Sequence, residues 1–142
     1  MKKILLSLLI VTFLGMGSAY SLDNWKDTNQ VTIAWDQVTT LSDNSMLPAG
    51  HSLKYKIYLA NAVTDPDKTN PAELGETDQL NYTITLNVEG KYLVGVSTTR
   101  YDETGAFLNE SEINWSDVNG ESTPDPFGLR HWFRAAVPKN LR

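Results

Sequence analysis

The sequence predicts an all-β fold in which two antiparallel sheets pack face to face as a β-sandwich. Apolar and polar residues alternate with a period of two along four segments, which is typical of strands with one buried face. Proline and glycine are concentrated between those segments, where they permit turns and interrupt sheet pairing. No segment beyond the N-terminal apolar run sustains a helical apolar pattern. With 142 residues, the chain is long enough to bury a core on packing alone.

Four strands follow directly from the alternation, and a shorter pattern at Ile113 and Trp115 suggests a fifth. β-Branched and aromatic residues suit the half-buried surface of a sheet, and they dominate the four segments, residues 31–36, 53–59, 82–86 and 92–98. We expect the inward faces of these strands to enclose Trp35, Ile57, Ile84 and Val94. The connecting segments are predicted as loops and cover residues 36–52, 64–79 and 102–109.

The N-terminus has the organisation of a secretory signal peptide. Two lysines precede an apolar run at residues 4–14, and small residues follow it up to Ala19. A membrane-spanning helix needs about 20 apolar residues, so this run is too short to be one. We therefore expect a signal peptide at residues 1–19, cleavage after Ala19 or Ser21, and no membrane span in the mature protein. The predicted location is the periplasm, the cell surface or the medium, and the sequence leaves the choice between them open.

Composition excludes several kinds of functional site. The chain has no cysteine and two histidines, which excludes disulfides, thiolate zinc sites and histidine-rich metal sites. A formal net charge of −5 argues against nucleic-acid binding, because phosphate recognition needs a basic surface. His51 and His131 have no nucleophile motif nearby, so no catalytic triad is predicted. We expect neither an enzyme nor a cofactor, and the acidic pairs are interpreted as solvated turn residues at positions 65/67, 102/103 and 110/112.

The order of three short motifs carries a family resemblance. Residues 31–36 end on a tryptophan and an aspartate, residues 54–58 contain the pattern Tyr-x-Ile-Tyr, and residues 82–86 are followed six positions later by Tyr92. This order resembles a fibronectin type III domain over residues 30–118, in the long-loop form common in bacterial secreted proteins. The resemblance implies an immunoglobulin-like sandwich whose structural residues are Trp35, Tyr55, Ile57, Leu86 and Tyr92. In such sandwiches a tyrosine at this corner returns its hydroxyl to the backbone a few residues upstream.

The chain divides into a predicted sandwich at residues 22–120 and a C-terminal tail at residues 121–142. Residues 22–125 include six basic and 17 acidic residues, a net charge of −11, whereas residues 129–142 include four basic and no acidic ones. The tail also interleaves aromatic and basic residues, which anchor many protein interfaces. We predict a protein-contact patch at Arg130, Trp132, Phe133 and Arg134. The alternative is that the tail covers an open edge of the sandwich through Leu129, Trp132 and Phe133.

The family resemblance and the lack of a catalytic motif suggest a non-catalytic interaction or spacer module that binds an extracytoplasmic protein. A second hypothesis is a carbohydrate-binding accessory module, whose aromatic platforms would be Tyr58 and Tyr101. A third hypothesis, a small hydrolase that uses paired acids, belongs to a different class. The sequence leaves the identity of the partner and the oligomeric state open.

Overall fold

The computed structural model describes residues 22–120, 123–136 and 139, so the predicted signal peptide and its cleavage sites lie outside the described residues. Within those ranges the chain forms nine strands and no helix, which confirms the all-β prediction. In chain order the strands are β1 (Trp25–Asp27), β2 (Gln30–Ala34), β3 (Ser52–Asn61), β4 (Ala72–Thr77), β5 (Asn81–Thr85), β6 (Gly90–Tyr101), β7 (Phe107–Glu110), β8 (Asn114–Trp115) and β9 (Gly128–His131).

The strands form two sheets that pack face to face. The larger sheet has the order β1-β9-β6-β3-β4, with β7 and β8 also paired to β6, and the smaller sheet consists of β2 and β5. The long strand β6 pairs along one edge with β3 over ten residue pairs. Along its other edge it meets β9, β8 and β7 in succession. Every pairing is antiparallel except that of β1 with β9, which is parallel.

The hydrophobic core lies between the inner faces of the two sheets. Six buried side chains form it: Ile33, Ile57, Ile84, Leu86, Val94 and Leu129. Trp35 follows β2 and packs against this cluster, with its ring centroid 5.4 Å from that of the buried Tyr55. The four side chains that the alternation places between the sheets therefore all belong to the core or pack against it, and the sandwich prediction is confirmed.

Three strands lie in segments that the sequence does not predict as strands. β4 and β7 fall within predicted loops, and β9 falls within the predicted tail. The main chain of β4 pairs with β3 through a register shift at Ile57 and Tyr58, and the outer strand β7 shows no alternation of burial. β9 contributes the fully buried Leu129 to the core. Some of the segment predicted as a tail is therefore a strand of the larger sheet.

The first strand joins the larger sheet and leaves the smaller one incomplete. Trp25 pairs with Gly128 and Asp27 with Arg130, so β1 extends the sheet beyond β9. Within the described residues of the chain, β2 pairs with β5 alone, and its other edge has no strand beside it.

The corner between β5 and β6 is held by a tyrosine. The hydroxyl of Tyr92 donates a hydrogen bond of 3.1 Å to the carbonyl oxygen of Val88, four residues upstream. A Cβ atom at Gly90 would lie 3.2 Å from the Tyr92 ring, so the glycine lets the ring approach the backbone. The hydrogen bond expected from the Leu86–Tyr92 spacing is present.

Replacement of Tyr92 by phenylalanine is expected to lower the free energy of unfolding by about 0.5–1.5 kcal/mol, the usual net value of one hydrogen bond. The loss stays in this range because Val88 is exposed and water can hydrate its carbonyl in the variant. Urea unfolding monitored by tryptophan fluorescence measures the difference. An unfolding midpoint equal to that of the wild type would show that the hydroxyl does not stabilise this corner.

Candidate functional site

The residues that follow β9 form an exposed aromatic surface. Trp132 is 54% exposed and Phe133 is 66% exposed, and Arg134 beside them is also exposed. We call these three residues the tail patch. Two contacts position it: the Phe133 ring packs edge-on against His131 at a centroid distance of 4.8 Å, and the Phe133 amide donates to the carboxylate of Glu89. The aromatic side chains thus face solvent, while the hydrogen bond to Glu89 fixes the backbone at Phe133.

Arg130, the fourth residue of the predicted contact patch, has a different environment. Its Nε donates to Oδ1 of Asp27 at 2.5 Å, and its Nη2 donates to Oδ2 of the same carboxylate at 2.7 Å. These two hydrogen bonds cross from β9 to β1. Arg130 therefore ties the first strand to the last through Asp27, and its membership of a contact patch stays a prediction.

Tyr58 and Tyr101, the predicted glycan platforms, lie on the outer face of the larger sheet but far apart. Tyr58 is opposite Gly95, and Tyr101 is six residues further along β6, a distance of about 20 Å at the usual strand rise. The Tyr58 hydroxyl donates to Glu110 and the Tyr101 hydroxyl donates to Glu76, each at 2.5 Å. The separation applies to the backbone, because the carboxylates that these hydroxyls bond also accept hydrogen bonds from Ser97 and Thr99, which are two residues apart on β6. A shared sugar-binding surface stays a prediction.

Glu110 is the centre of a polar network on that outer face. Its Oε1 also accepts a hydrogen bond of 2.5 Å from Ser97, and its Oε2 lies 3.3 Å from the Lys56 ammonium. Partial burial works to raise the pKa of Glu110, but the hydrogen bonds from Ser97 and Tyr58 and the charge of Lys56 outweigh it. The pKa is therefore held below its ordinary value of 4.5. The sequence predicts a solvated turn acid at Glu110, whereas the structure places this residue at the end of β7.

Glu76, which lies on β4, has a similar environment. It accepts hydrogen bonds from Thr99 at 2.8 Å and from Tyr101, and its Oε2 lies 3.5 Å from Lys54. Partial burial again opposes these contacts, yet they lower the pKa of Glu76. Thr99 is buried although it is on the outer face of the sheet. The protein's own side chains therefore cover much of this face.

Two tryptophans that the sequence analysis did not assign to a site lie against glycines on the outer face. A Cβ atom at Gly128 would come within 2.4 Å of the Trp25 ring, and one at Gly95 would come within 2.9 Å of the Trp115 ring. The ammonium of Lys91 lies 5.0 Å from the Trp25 ring centroid. Since both contacts require a missing side chain opposite the ring, the pairing of tryptophan with glycine across neighbouring strands is the signal that could have identified them.

In each of the two remaining acidic pairs, the first member stabilises a turn. One Asp65 oxygen accepts from the amide of Thr69 and the other from the amide of Asn70, both at 2.9 Å. Asp102 accepts from the amides of Thr104 and Ala106. Among residues 22–120, 123–136 and 139, no group of three or more acidic or histidine side chains is arranged to hold a metal ion. The same residues include no helix of the length and apolarity required to cross a membrane.

A cleft of about 790 Å³ opens between the end of β2 and the inner face of the larger sheet. Its apolar lining comes from both layers and includes Ile33, Trp35, Val94, Val96 and Phe127. Two exposed carboxylates, Asp36 and Glu112, also line it, together with no lysine, arginine or histidine. The indole Nε1 of Trp35 is buried and has no hydrogen-bond partner among the described residues. Neither the cleft nor the open strand edge beside it was anticipated from the sequence.

No family model matches the sequence, and comparisons with curated proteins and with solved structures give no significant match. Arguments about function therefore rest on the residues and on the geometry described above.

Proposed function

We propose that the protein is an exported, non-catalytic interaction module that resembles a fibronectin type III domain and binds an extracytoplasmic protein. The tail patch is the observation that carries this proposal, because two neighbouring large aromatic side chains remain more than half exposed. Tryptophan and arginine are enriched among the residues that dominate binding energy in protein interfaces.

The position of the tail patch supports this role. Trp132 comes directly after β9, whose Leu129 is fully buried in the core and whose Arg130 is tied to Asp27. The exposed aromatics are thus displayed from a rigid strand, which lowers the entropy lost when a partner immobilises them. Among the other exposed apolar side chains, Met46 and Val63 lie in loops, whereas Phe107 and Leu108 lie on the outer strand β7.

Crosslinking in the native cell envelope tests the proposal. Simultaneous replacement of Trp132 and Phe133 by alanine is expected to remove a crosslinked protein species, because an interface anchor is worth about 2 kcal/mol or more. The matched control replaces Met46 and Val63, which are 82% and 71% exposed, by alanine and should leave that species unchanged. Equal crosslinking by both variants would contradict the assignment, and capture of the protein by a polysaccharide resin through the same two aromatics would favour the carbohydrate-binding alternative.

A further inference from the structure

The main-chain groups along one edge of β2 face away from β5, its one partner strand in the described part of the chain. In the β2–β5 pair, the amide of Leu86 donates to the carbonyl of Asn29, and the amide of Trp35 donates to the carbonyl of Leu80. Hydrogen-bonded and non-hydrogen-bonded pairs alternate along an antiparallel ladder. The odd-numbered residues of β2 therefore form the hydrogen-bonded pairs with β5. The even-numbered residues form the other pairs, such as Thr32↔Thr83, so their N–H and C=O groups point toward the open edge.

This edge lacks the features that usually prevent strand addition. Natural proteins protect open edges with lysine, proline or bulges. β2 has the sequence Gln-Val-Thr-Ile-Ala, with no charged residue, no proline and a regular register. Gln30 is occupied by a local contact, since its amide donates to the Thr28 hydroxyl at 3.1 Å. Thr32 and Ala34 are exposed and present the open main-chain groups.

The cleft described above lies directly beside this edge. Ile33, Ala34 and Trp35 line it from the β2 side, while β6 and the segment after β8 form its floor and far wall. The outer edge of β5 also has no strand beside it among the described residues, but no β5 residue lines the cleft. Of the two outer edges of the smaller sheet, the β2 edge is therefore the one that, among the described residues, combines open hydrogen-bonding groups with an apolar recess for alternate side chains.

We propose that an extended segment of a partner protein adds to the open edge of β2. Its main chain pairs with Thr32 and Ala34, and every second side chain is apolar and enters the cleft, as in other cases of strand addition. The intervening side chains face solvent and are basic, because the surrounding protein is acidic: residues 22–125 have a net charge of −11, and the charged side chains that line the cleft are the carboxylates of Asp36 and Glu112. This binding mode is independent of the tail patch, which follows β9.

A synthetic peptide of about nine residues that alternates valine and lysine tests the proposal on the purified protein. NMR spectra should show shifts of the Thr32 and Ala34 amides and of the Trp35 indole N–H, with slower exchange of the two amides. A peptide that alternates valine and glutamate should bind at least about tenfold more weakly, because like charges across an interface are unfavourable. Replacement of Trp132 and Phe133 by alanine should leave peptide binding unchanged, which separates this proposal from the proposed function.

A matched pair of proline variants locates the binding edge. Thr32→Pro removes an N–H on the open edge of β2, and Thr83→Pro removes the equivalent N–H on the opposite edge of β5. Both variants lose the same 2.9 Å contact between the two threonine hydroxyls. We expect Thr32→Pro to weaken the valine–lysine peptide at least about tenfold, since proline cannot donate to a ladder, and Thr83→Pro to bind it like the wild type.

If either proline variant fails to fold, N-methylated peptides decide the question on the wild-type protein. Alternate amides of a bound peptide point toward β2, and the amides between them point away from it. Methylation of the amides that face β2 should abolish binding, and methylation of the other amides should preserve it. The proposal is overturned if the peptide shifts neither Thr32 nor Ala34 at about 1 mM, or if both proline variants lose binding equally. It is also overturned if the protein forms a dimer that Thr32→Pro alone dissociates, because a second copy would then occupy the edge. Slow exchange of the Thr32 and Ala34 amides without peptide would overturn it as well, because the edge would then already be paired.

Discussion

Replacement of Leu129 by alanine should lower the free energy of unfolding by about 2–5 kcal/mol, the range for a fully buried leucine. Leu129 has no exposed surface and packs in the core with Ile33, Ile57 and Val94. The removed methyl groups leave a cavity between two sheets that are held by main-chain pairing and can collapse only partly. Such an effect would establish by experiment that this portion of the predicted tail is required for folding.

The matched control is Leu108→Ala. Leu108 lies in the outer strand β7 and is 43% exposed, so we expect a change within about 0.5 kcal/mol. Urea unfolding of both variants gives the comparison, with the slope of the transition as a check on the extent of unfolding. Equal destabilisation by the two substitutions would contradict the packing of Leu129 in the core.

Glu110→Gln should destabilise the protein by about 1–3 kcal/mol at neutral pH, because it removes the charge that accepts hydrogen bonds from Tyr58 and Ser97. It also leaves the Lys56 ammonium without the carboxylate 3.3 Å away. Glutamine keeps the side-chain volume, so the change measures charge and hydrogen bonding rather than packing. Thermal unfolding in calorimetry is a suitable measurement.

The destabilisation should depend on pH in one direction. The folded protein holds the pKa of Glu110 below 4.5, so the unfolded chain takes up the proton more readily. Its contribution is therefore complete above the unfolded pKa and is lost as the pH falls through the lower folded pKa. The gap between wild type and Glu110→Gln should be constant near neutrality and narrow below pH 4.5. The exposed Glu103, changed to glutamine, is the control and should show no such convergence; a gap that persists in acid would exclude this role for Glu110.

The sequence predicts the strands that have one apolar face, because their apolar and polar residues alternate within a single short segment. β2, β3, β5 and most of β6 are predicted in this way, as is the corner at Tyr92. β4, β7 and β9 are specified chiefly by main-chain pairing with longer strands, and a pairing partner cannot be read from the residues of one segment. Leu129 alone connects β9 to the core cluster, which is too short a pattern to indicate a strand.

For the tail patch and the cleft, too, the sequence predicts what depends on one segment and not what depends on strand pairing. Exposed aromatics at Trp132 and Phe133 follow from residue type and position, whereas the engagement of Arg130 with Asp27 depends on the parallel pairing of β1 with β9. The first strand pairs with β9 and not with β2, and no periodicity in the sequence indicates which sheet it joins. Registers between distant segments decide these features.

The parallel pairing of the first and last strands determines how the domain responds to tension. The chain enters at Trp25 and leaves at His131, and the two neighbouring strands run in the same direction. A pull on both ends would slide β1 along β9, so the hydrogen bonds between them and the doubly bonded Asp27–Arg130 pair would bear the load together rather than one after another. We therefore expect these contacts to break together when the two strands are pulled apart along their length.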